Sequence, residues 1–431
     1  MKNFKEYYAN RSLINEAKAK RSTGHLTHLE ELLLTKGESG YVEARETLVR
    51  MLSKLQGKSK RSIKTSVKWD GAPFVLAGKI TEDMMGPNSK IPVTGKHFVA
   101  TKSGLTNEVP KINYDEGDIV NNHGHAPGLV DKLKQVLKAT KQMGITGVIG
   151  GDVMFDTSLL KPMVVDGEEL VTFKPNPNGI RYGVPKDSEF GKEVLGSTLG
   201  IIWHSKYKEI SDAGRIPLSN SEFRKLRKVP GVWMDDAEFT DSTGIITLEP
   251  DEVKQVKAYI KQSDSIKINF KEIGTVLPLI NIYLNSEIRD GSFIEDPEKS
   301  FKNFIEWFKK RDQKAIDKVK TVSRRHAKEV VSKEKIAHLV AQQADIINLF
   351  KKSKAVQMAK QIFIQKYNNA VYNFKHFFDN GDGTLRAANP EGYVAVSPIK
   401  GGGERSVKFV DRLEFSRANF GGGGAEKKSY N

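Results

Sequence analysis

Cysteine is absent from the 431 residues, which removes disulfides and thiolate metal sites from consideration. No apolar run reaches about 18 residues, so no membrane-spanning helix is expected. The first residues, Met1-Lys2-Asn3-Phe4-Lys5-Glu6-Tyr7-Tyr8, lack the apolar stretch of a secretion signal, and a cytoplasmic location is expected. A Walker A sequence is missing, which disfavours a P-loop kinase or ATPase. There is no internal repeat. Proline does not occur in residues 301–377, so a helical pattern can run there without a break.

What is present is a globular and basic composition. Hydrophobic residues make up 38% and the net charge is +16; the length suits two or three domains. The charge is uneven: residues 301–377 hold 18 Lys+Arg against 6 Asp+Glu. Apolar residues there recur near the helical period, as in Phe304, Trp307 and Phe308, or Ile346, Ile347 and Phe350. A basic helical block of this kind is expected to clamp a polyanion. Lys351, Lys352 and Lys354 are the lysines whose reversal would test it. A solvated bundle with lysines for solubility is the plainer reading. Trp307, Phe363, Tyr367, Tyr372 and Phe374 suit base stacking, although at helical spacing they also suit a core.

The pattern divides the chain. Residues 1–60 read as an N-terminal helical segment, with Leu26–Leu34 and Val42–Leu55 amphipathic. Residues 61–247 read as mixed, with strands near 63–69, 73–78, 97–102, 147–154, 170–174 and 199–204 and a helix from Gly128 to Met143. Residues 250–378 read as all-helical, and 390–420 return to strands. The turn cluster Asp379-Asn380-Gly381-Asp382-Gly383-Thr384 marks the return. Residues 421–431 form a glycine-rich tail that is expected to be flexible. His123 and His125 lie close together, but with no third ligand at metal spacing they read as a loop before a helix. Lys174 and Arg181 face phosphate or solvent equally well.

Chemistry is suggested by five segments, each placing a polar group in a β-type apolar run. Lys68-Trp69-Asp70-Gly71 follows alternating Ile63, Thr65 and Val67. Asp152 sits inside Gly147–Phe155. Trp203 ends the run from Leu199, Glu391-Gly392 opens the run to Val396, and Lys408 lies in Arg405–Val410. A charge in such a run is costly unless paired or bound to a ligand. Lysines and carboxylates on separate strands fit a pocket for a nucleoside triphosphate and a metal.

In order and strand context these segments resemble motifs I, III, IIIa, IV and V of the covalent nucleotidyltransferases. That superfamily comprises the ATP-dependent RNA and DNA ligases and the mRNA capping enzymes. The chain also resembles uncharacterised ligase-like proteins of tailed phages, through VKWDGAP and FVATKSG; a phage source would place it in the host cytoplasm. The resemblance implies an α+β fold: a ligase-type adenylation domain of antiparallel sheets (61–247 and 390–420) interrupted by the basic helical insertion 250–378. By it, Lys68 attacks the α-phosphate of ATP and carries AMP. Asp70 and Gly71 complete the nucleotide-side turn. Asp152 and Glu391 are the carboxylates that hold Mg²⁺, with Mn²⁺ as a substitute. Trp203 lies by the base, Lys408 touches the α-phosphate, and Lys102 is a further nucleotide-side cation. The partner implied is nucleic acid, RNA or DNA ends or nicks, gripped by residues 301–377.

The sequence departs from the pattern at several points. Ser66 stands where many ligases have glutamate. Pro73 and Phe74 replace an arginine, motif III has Asp152 rather than glutamate, and motif V has one lysine, not two. The 23 residues after Lys408 are too few for the OB-fold domain of DNA ligases and capping enzymes, which favours RNA ligase. The alternatives are a DNA ligase of the same mechanism, a GTP-using guanylyltransferase, and a non-catalytic nucleic-acid-binding virion protein on a decayed fold.

Overall fold

A computed structural model describes residues 27–58, 63–82, 95–102, 111–176, 180–208, 215–237, 246–369, 374–380, 382–398 and 404–414. In chain order it has α1 (Leu32–Leu55), β1 (Lys64–Val67), β2 (Phe74–Lys79), β3 (His97–Thr101), α2 (Glu116–His123), α3 (Pro127–Met143) and β4 (Val148–Asp156). Then come β5 (Lys161–Val165), β6 (Glu168–Phe173), β7 (Arg181–Pro185), α4 (Glu189–Leu195), β8 (Leu199–Tyr207), β9 (Arg215–Pro217) and β10 (Val232–Asp236). Helices α5 (Pro250–Ser265), α6 (Leu277–Arg289), α7 (Pro297–Asp317), α8 (Val322–Ala341) and α9 (Gln343–Asn368) follow. The last are β11 (Lys375–Asp379), β12 (Leu385–Ala388), β13 (Tyr393–Pro398) and β14 (Glu404–Phe409). The fold is α+β, mixed helix with mostly antiparallel sheet.

The strands form three sheets. The largest runs β10-β8-β4-β2-β3 with β9 on β8, a second runs β12-β11-β7-β6-β5, and a small one runs β1-β13-β14. Helix α3 has Pro127 at its start and Gly144 in the left-handed conformation (φ 71°) past its end, the usual proline-in, glycine-out asymmetry. It buries Leu133, Val136, Leu137 and Met143 against Val75, Val99, Ile201 and Trp203 on one face of the large sheet. The opposite face, through Met154, Phe155, Ile202 and Trp233, packs on Val171, Phe173, Tyr182 and Val184 of the second sheet. These two layers bury their apolar faces against each other, as a two-sheet arrangement requires.

The small sheet belongs with the helices. Val67, Tyr393, Ala395, Val407 and Phe409 share one continuous core with α1 and with Ile280, Phe304, Phe350 and Phe363 of α6, α7 and α9. The sequence reading of 250–378 as all-helical needs correction at its end. Its helices end at Asn368, Lys375–Asp379 is already a strand of the second sheet, and the helices carry the sheet that holds Lys68, Glu391 and Lys408. Helix α1 kinks at Gly37 (φ 61°). Residues 1–26 and 415–431, on which the N-terminal and tail expectations partly fall, lie outside the described residues. Among the described residues no helix is long and apolar enough to cross a membrane.

A candidate nucleotide site at the junction of three sheets

Lys68 directly follows β1. Its strand pairs with β13, Val67 opposite Tyr393, and the Lys68 N–H donates to Gly392 O at 2.8 Å. Glu391 is thereby brought beside Lys68, and the two side chains form an ion pair, about one-fifth exposed on each side. Gly392 has φ 150°, and a Cβ there would lie 2.5 Å from Phe409 O, so glycine is needed for this close approach. Lys408 reaches the same place from β14, where it is opposite Val394.

The turn after Lys68 is pinned to the other two sheets. Trp69 plugs into an aromatic cluster, 5.2 Å from the rings of both Tyr182 and Phe374. The Asp70 N–H donates to the Tyr182 hydroxyl at 3.0 Å. Ala72 N donates to Val153 O at 2.9 Å. Gly71 lies so close to β4 that an added Cβ would stand 2.5 Å from Asp152 Cβ. Asp152 is opposite Phe74 on one side and Ile202 on the other, and its Oδ2 is 3.3 Å from His204 Nε2.

The electrostatics agree with this geometry. Burial pushes the Lys68 ammonium toward neutrality, but Glu391, Asp70 and Asp152 outweigh it and lift its pKa above the ordinary lysine value. Burial alone would depress it; three carboxylates reverse the direction. Lys408 behaves in the opposite way: burial and the charge of Lys68 lower its pKa. Glu391 and Glu31 act on it in the opposite sense without outweighing burial and Lys68. His28, a neighbour of Lys408 through main-chain pairing, is held well below its usual pKa by burial and then by Arg412, Lys360, Lys408 and Lys68. It is neutral at pH 7.

Lys68, Asp70, Gly71, Asp152, Glu391 and Lys408 thus converge. Trp203 does not. Asp152 faces the same side of the sheet as Ile202, so Trp203 faces the other and is fully buried against α3. The polar residue that β8 offers to the cleft is His204. Lys102 follows the last residue of β3, Thr101, which pairs with Val75; it is half-buried, with β2 lying between β3 and the strand of Asp152. Lys174 and Arg181 are turned to Asp379, at 3.8 and 2.9 Å, rather than to this cleft. His204, Tyr182 and Asn176, whose Nδ2 lies 3.5 Å from Asp70 Oδ2, were not singled out from sequence. The alternation of β8 could have flagged His204 over Trp203.

Behind Lys408 lies a buried charge network. Lys360 of α9 donates to Glu30 at 2.7 Å and to Val410 O at 3.0 Å. Arg412 is 3.0 Å from Glu31 and 3.7 Å from Glu30. Burial works against the Glu30 carboxylate, yet Lys360 and Arg412 hold its pKa below the usual range.

Among the described residues no group of three or more His, Asp or Glu is disposed to hold a metal alone. Mg²⁺ rarely asks for that; it takes one or two carboxylates together with substrate phosphates and waters. Asp152, Glu391 and Asp70 all act on the Lys68 ammonium, and the first two are the carboxylates that would stand in such a shared site.

The architecture is that of an α+β protein with a cluster of charged residues where its sheets meet. Residues 23–422 match the family described as "Family of unknown function (DUF6267)", and the chain belongs to it. No curated protein and no solved structure matches.

Proposed function

We propose that the chain is an ATP-dependent polynucleotide ligase, RNA ligase by preference, that works through AMP carried on Lys68. The observation that carries this reading is the meeting of Lys68 with Asp70, Asp152 and Glu391 and with the under-neutralised Lys408. Transfer of a nucleotidyl group depends mainly on positioning and charge neutralisation. Lys408 supplies a cation for the α-phosphate. Asp152 and Glu391 would hold Mg²⁺, which neutralises phosphate charge when bound.

In the first step a Lys68 Nζ–P bond forms and the bond from the α-phosphorus to the pyrophosphate oxygen breaks, so pyrophosphate leaves. Next a 5′-phosphate oxygen attacks the same phosphorus, the N–P bond breaks, and Lys68 is restored. A 3′-hydroxyl then attacks the activated 5′-phosphate, releasing AMP and a proton. The first step demands a neutral amine. The ion pair with Glu391 keeps Lys68 charged, so on nucleotide binding the ammonium proton passes to Glu391, whose own pKa burial raises; the second amine proton leaves to solvent as the N–P bond forms, and the amine is reprotonated when AMP is passed on.

The raised pKa of Lys68 is the one observation that favours the second reading, a non-catalytic nucleic-acid-binding protein on the same fold. Incubation with α-labelled ATP and Mg²⁺, followed by denaturation, separates the two. Label retained by the protein and lost in Lys68→Ala is expected. Preference for GTP in competition would replace the ligase by a guanylyltransferase. Folded, AMP-free protein that takes no label from ATP or GTP would overturn the catalytic reading.

A further inference from the structure

A second candidate site lies on the helical block, far in sequence from Lys68. A cleft of about 750 Å³ between α7 and α8 is lined by Trp307, Lys310, Arg311, Lys314, Lys318 and Lys328, with Ala315 and Val319. No carboxylate lines it. The α7 residues fall at positions 307, 310, 311 and 314, one stripe of a single helix, and Lys318 continues it as the residue that caps the helix end. Lys310, Lys314 and Lys318 are exposed and stand four residues apart. Like charges at that spacing destabilise a helix, so the stripe costs stability until an anion covers it.

The floor of the cleft is aromatic. Trp307 is half-buried, its ring 5.6 Å from Tyr283 and 6.3 Å from Phe304. Arg311 lies over the same ring, 5.4 Å from its centroid. Indole and guanidinium together make a platform of the kind on which bases stack. On the far wall the first turns of α8, residues 321–328, are wholly exposed and carry Arg324, Arg325 and Lys328.

We propose that this cleft holds a single-stranded polynucleotide, with phosphates along Lys310, Lys314 and Lys318 and a base on the Trp307–Arg311 platform. Successive lysines of the stripe are about 6 Å apart along the axis, a step comparable to that between phosphates of an extended strand. An acidic protein segment would match the cations but leave the platform without purpose. The inference rests on the polynucleotide reading above, but not on the chemistry of Lys68.

The lysines named from sequence do not serve this role. Lys351 pairs with Glu298 at 2.7 Å. Lys352 is buried with its ammonium 3.7 Å from the Tyr41 ring centroid. Lys354 donates to Glu295 O.

The test uses the full chain and short labelled single-stranded RNA and DNA, followed by fluorescence anisotropy between about 50 and 200 mM salt. Lys310→Glu, Lys314→Glu and Lys318→Glu together should lower the slope of log affinity against log salt by about 2, at about 0.7 per lost phosphate contact. Trp307→Ala should weaken binding about tenfold for a base-bearing strand and leave an abasic strand unaffected. Trp307→Phe, which preserves the packing, should retain most of the base preference. An unchanged salt slope in the triple variant overturns the site. Equal binding of abasic and base-bearing strands by the wild type overturns the platform, and duplex bound as tightly as single strand overturns the choice of substrate. Labelling of Lys68 is read on the same samples. Label with an intact slope sinks the cleft alone, and a lowered slope without label in the wild type sinks the ligase reading alone.

Discussion

Substitution of Glu391 by glutamine probes the centre of the proposed site, because it should make Lys68 chemically more reactive and functionally worse. Glu391 is the carboxylate in direct contact with Lys68, and its charge is the first of three that raise the lysine's pKa against burial. An opposite charge at such range typically shifts a pKa by about 1–3 units. Without it, burial has only Asp70 and Asp152 set against it, and the Lys68 pKa should fall. The neutral fraction at pH 8 then rises. The assay is competitive acylation with an amine-selective reagent at pH 8, read by peptide mass spectrometry on the Lys68 peptide, with surface lysines as internal reference. Labelling of Lys68 should rise at least about tenfold. Nucleotide adduct should nonetheless fall, because Glu391 also has its share in placing cation and phosphate. Unchanged or reduced acylation would refute the argument that Glu391 governs the charge on Lys68. Greater acylation with greater adduct would leave Glu391 a counter-ion only.

Two further predictions concern charges elsewhere. Lys360 is 1% and Glu30 2% exposed, so Lys360→Met should cost about 3–5 kcal/mol in urea denaturation by stranding the carboxylate; Glu30→Leu added to it should recover a large part, and a cost below about 1 kcal/mol would refute the pairing. Burial, then Asp236 and Glu193, push Asp235 up to about 6. A carboxyl whose folded pKa is raised contributes stability at low pH that is lost as pH rises through the window from about 4 to about 6. Asp235→Asn should therefore stabilise the protein by up to about 3 kcal/mol at pH 7 and by little at pH 4; equal effects at both pH values would refute it.

Local pattern carried much of the fold. The strands expected near 73–78, 147–154 and 199–204 are found at Phe74–Lys79, Val148–Asp156 and Leu199–Tyr207, because alternation is a local property. The helix expected from Gly128 to Met143 begins one residue earlier, at Pro127. Strands β5, β7 and β10 were not anticipated. β7 contains Gly183 and Pro185, and β10 ends in Asp235-Asp236, compositions that read as loop. Sheet membership is non-local and was not legible: β1 joins β13 and β14 rather than β2, so the helical block and the Lys68 turn share a core. The choice of Trp203 failed by a single residue, and a one-residue step in a strand changes the face. The register of β8 on β4 also shifts between Gly150 and Gly151 and between Val153 and Phe155, which no local pattern announces. Lys351, Lys352 and Lys354 were equivalent in composition to Lys310, Lys314 and Lys318. Only packing separates lysines tied to Glu298, Tyr41 and Glu295 from lysines that line a cleft.

The charges of this protein divide into two kinds, and the division bears on the proposed function. Lys360 and Glu30 pair in the interior, with Arg412 3.7 Å from the same carboxylate, where an unpaired charge would be very costly. Around Lys68 the accounts do not close in the same way. Lys408 is pushed toward neutrality by burial and by Lys68, while three carboxylates bear on the single ammonium of Lys68. A scaffold gains no stability from holding two lysines and three carboxylates about one point at the meeting of three sheets. Each excess is relieved by a specific kind of ligand: an anion for Lys408, a cation for the surplus carboxylates. A phosphate with its divalent ion supplies both at once, which is why the nucleotide reading accounts for Lys408 and Asp152 together and a reading based on polyanion binding alone accounts only for the first.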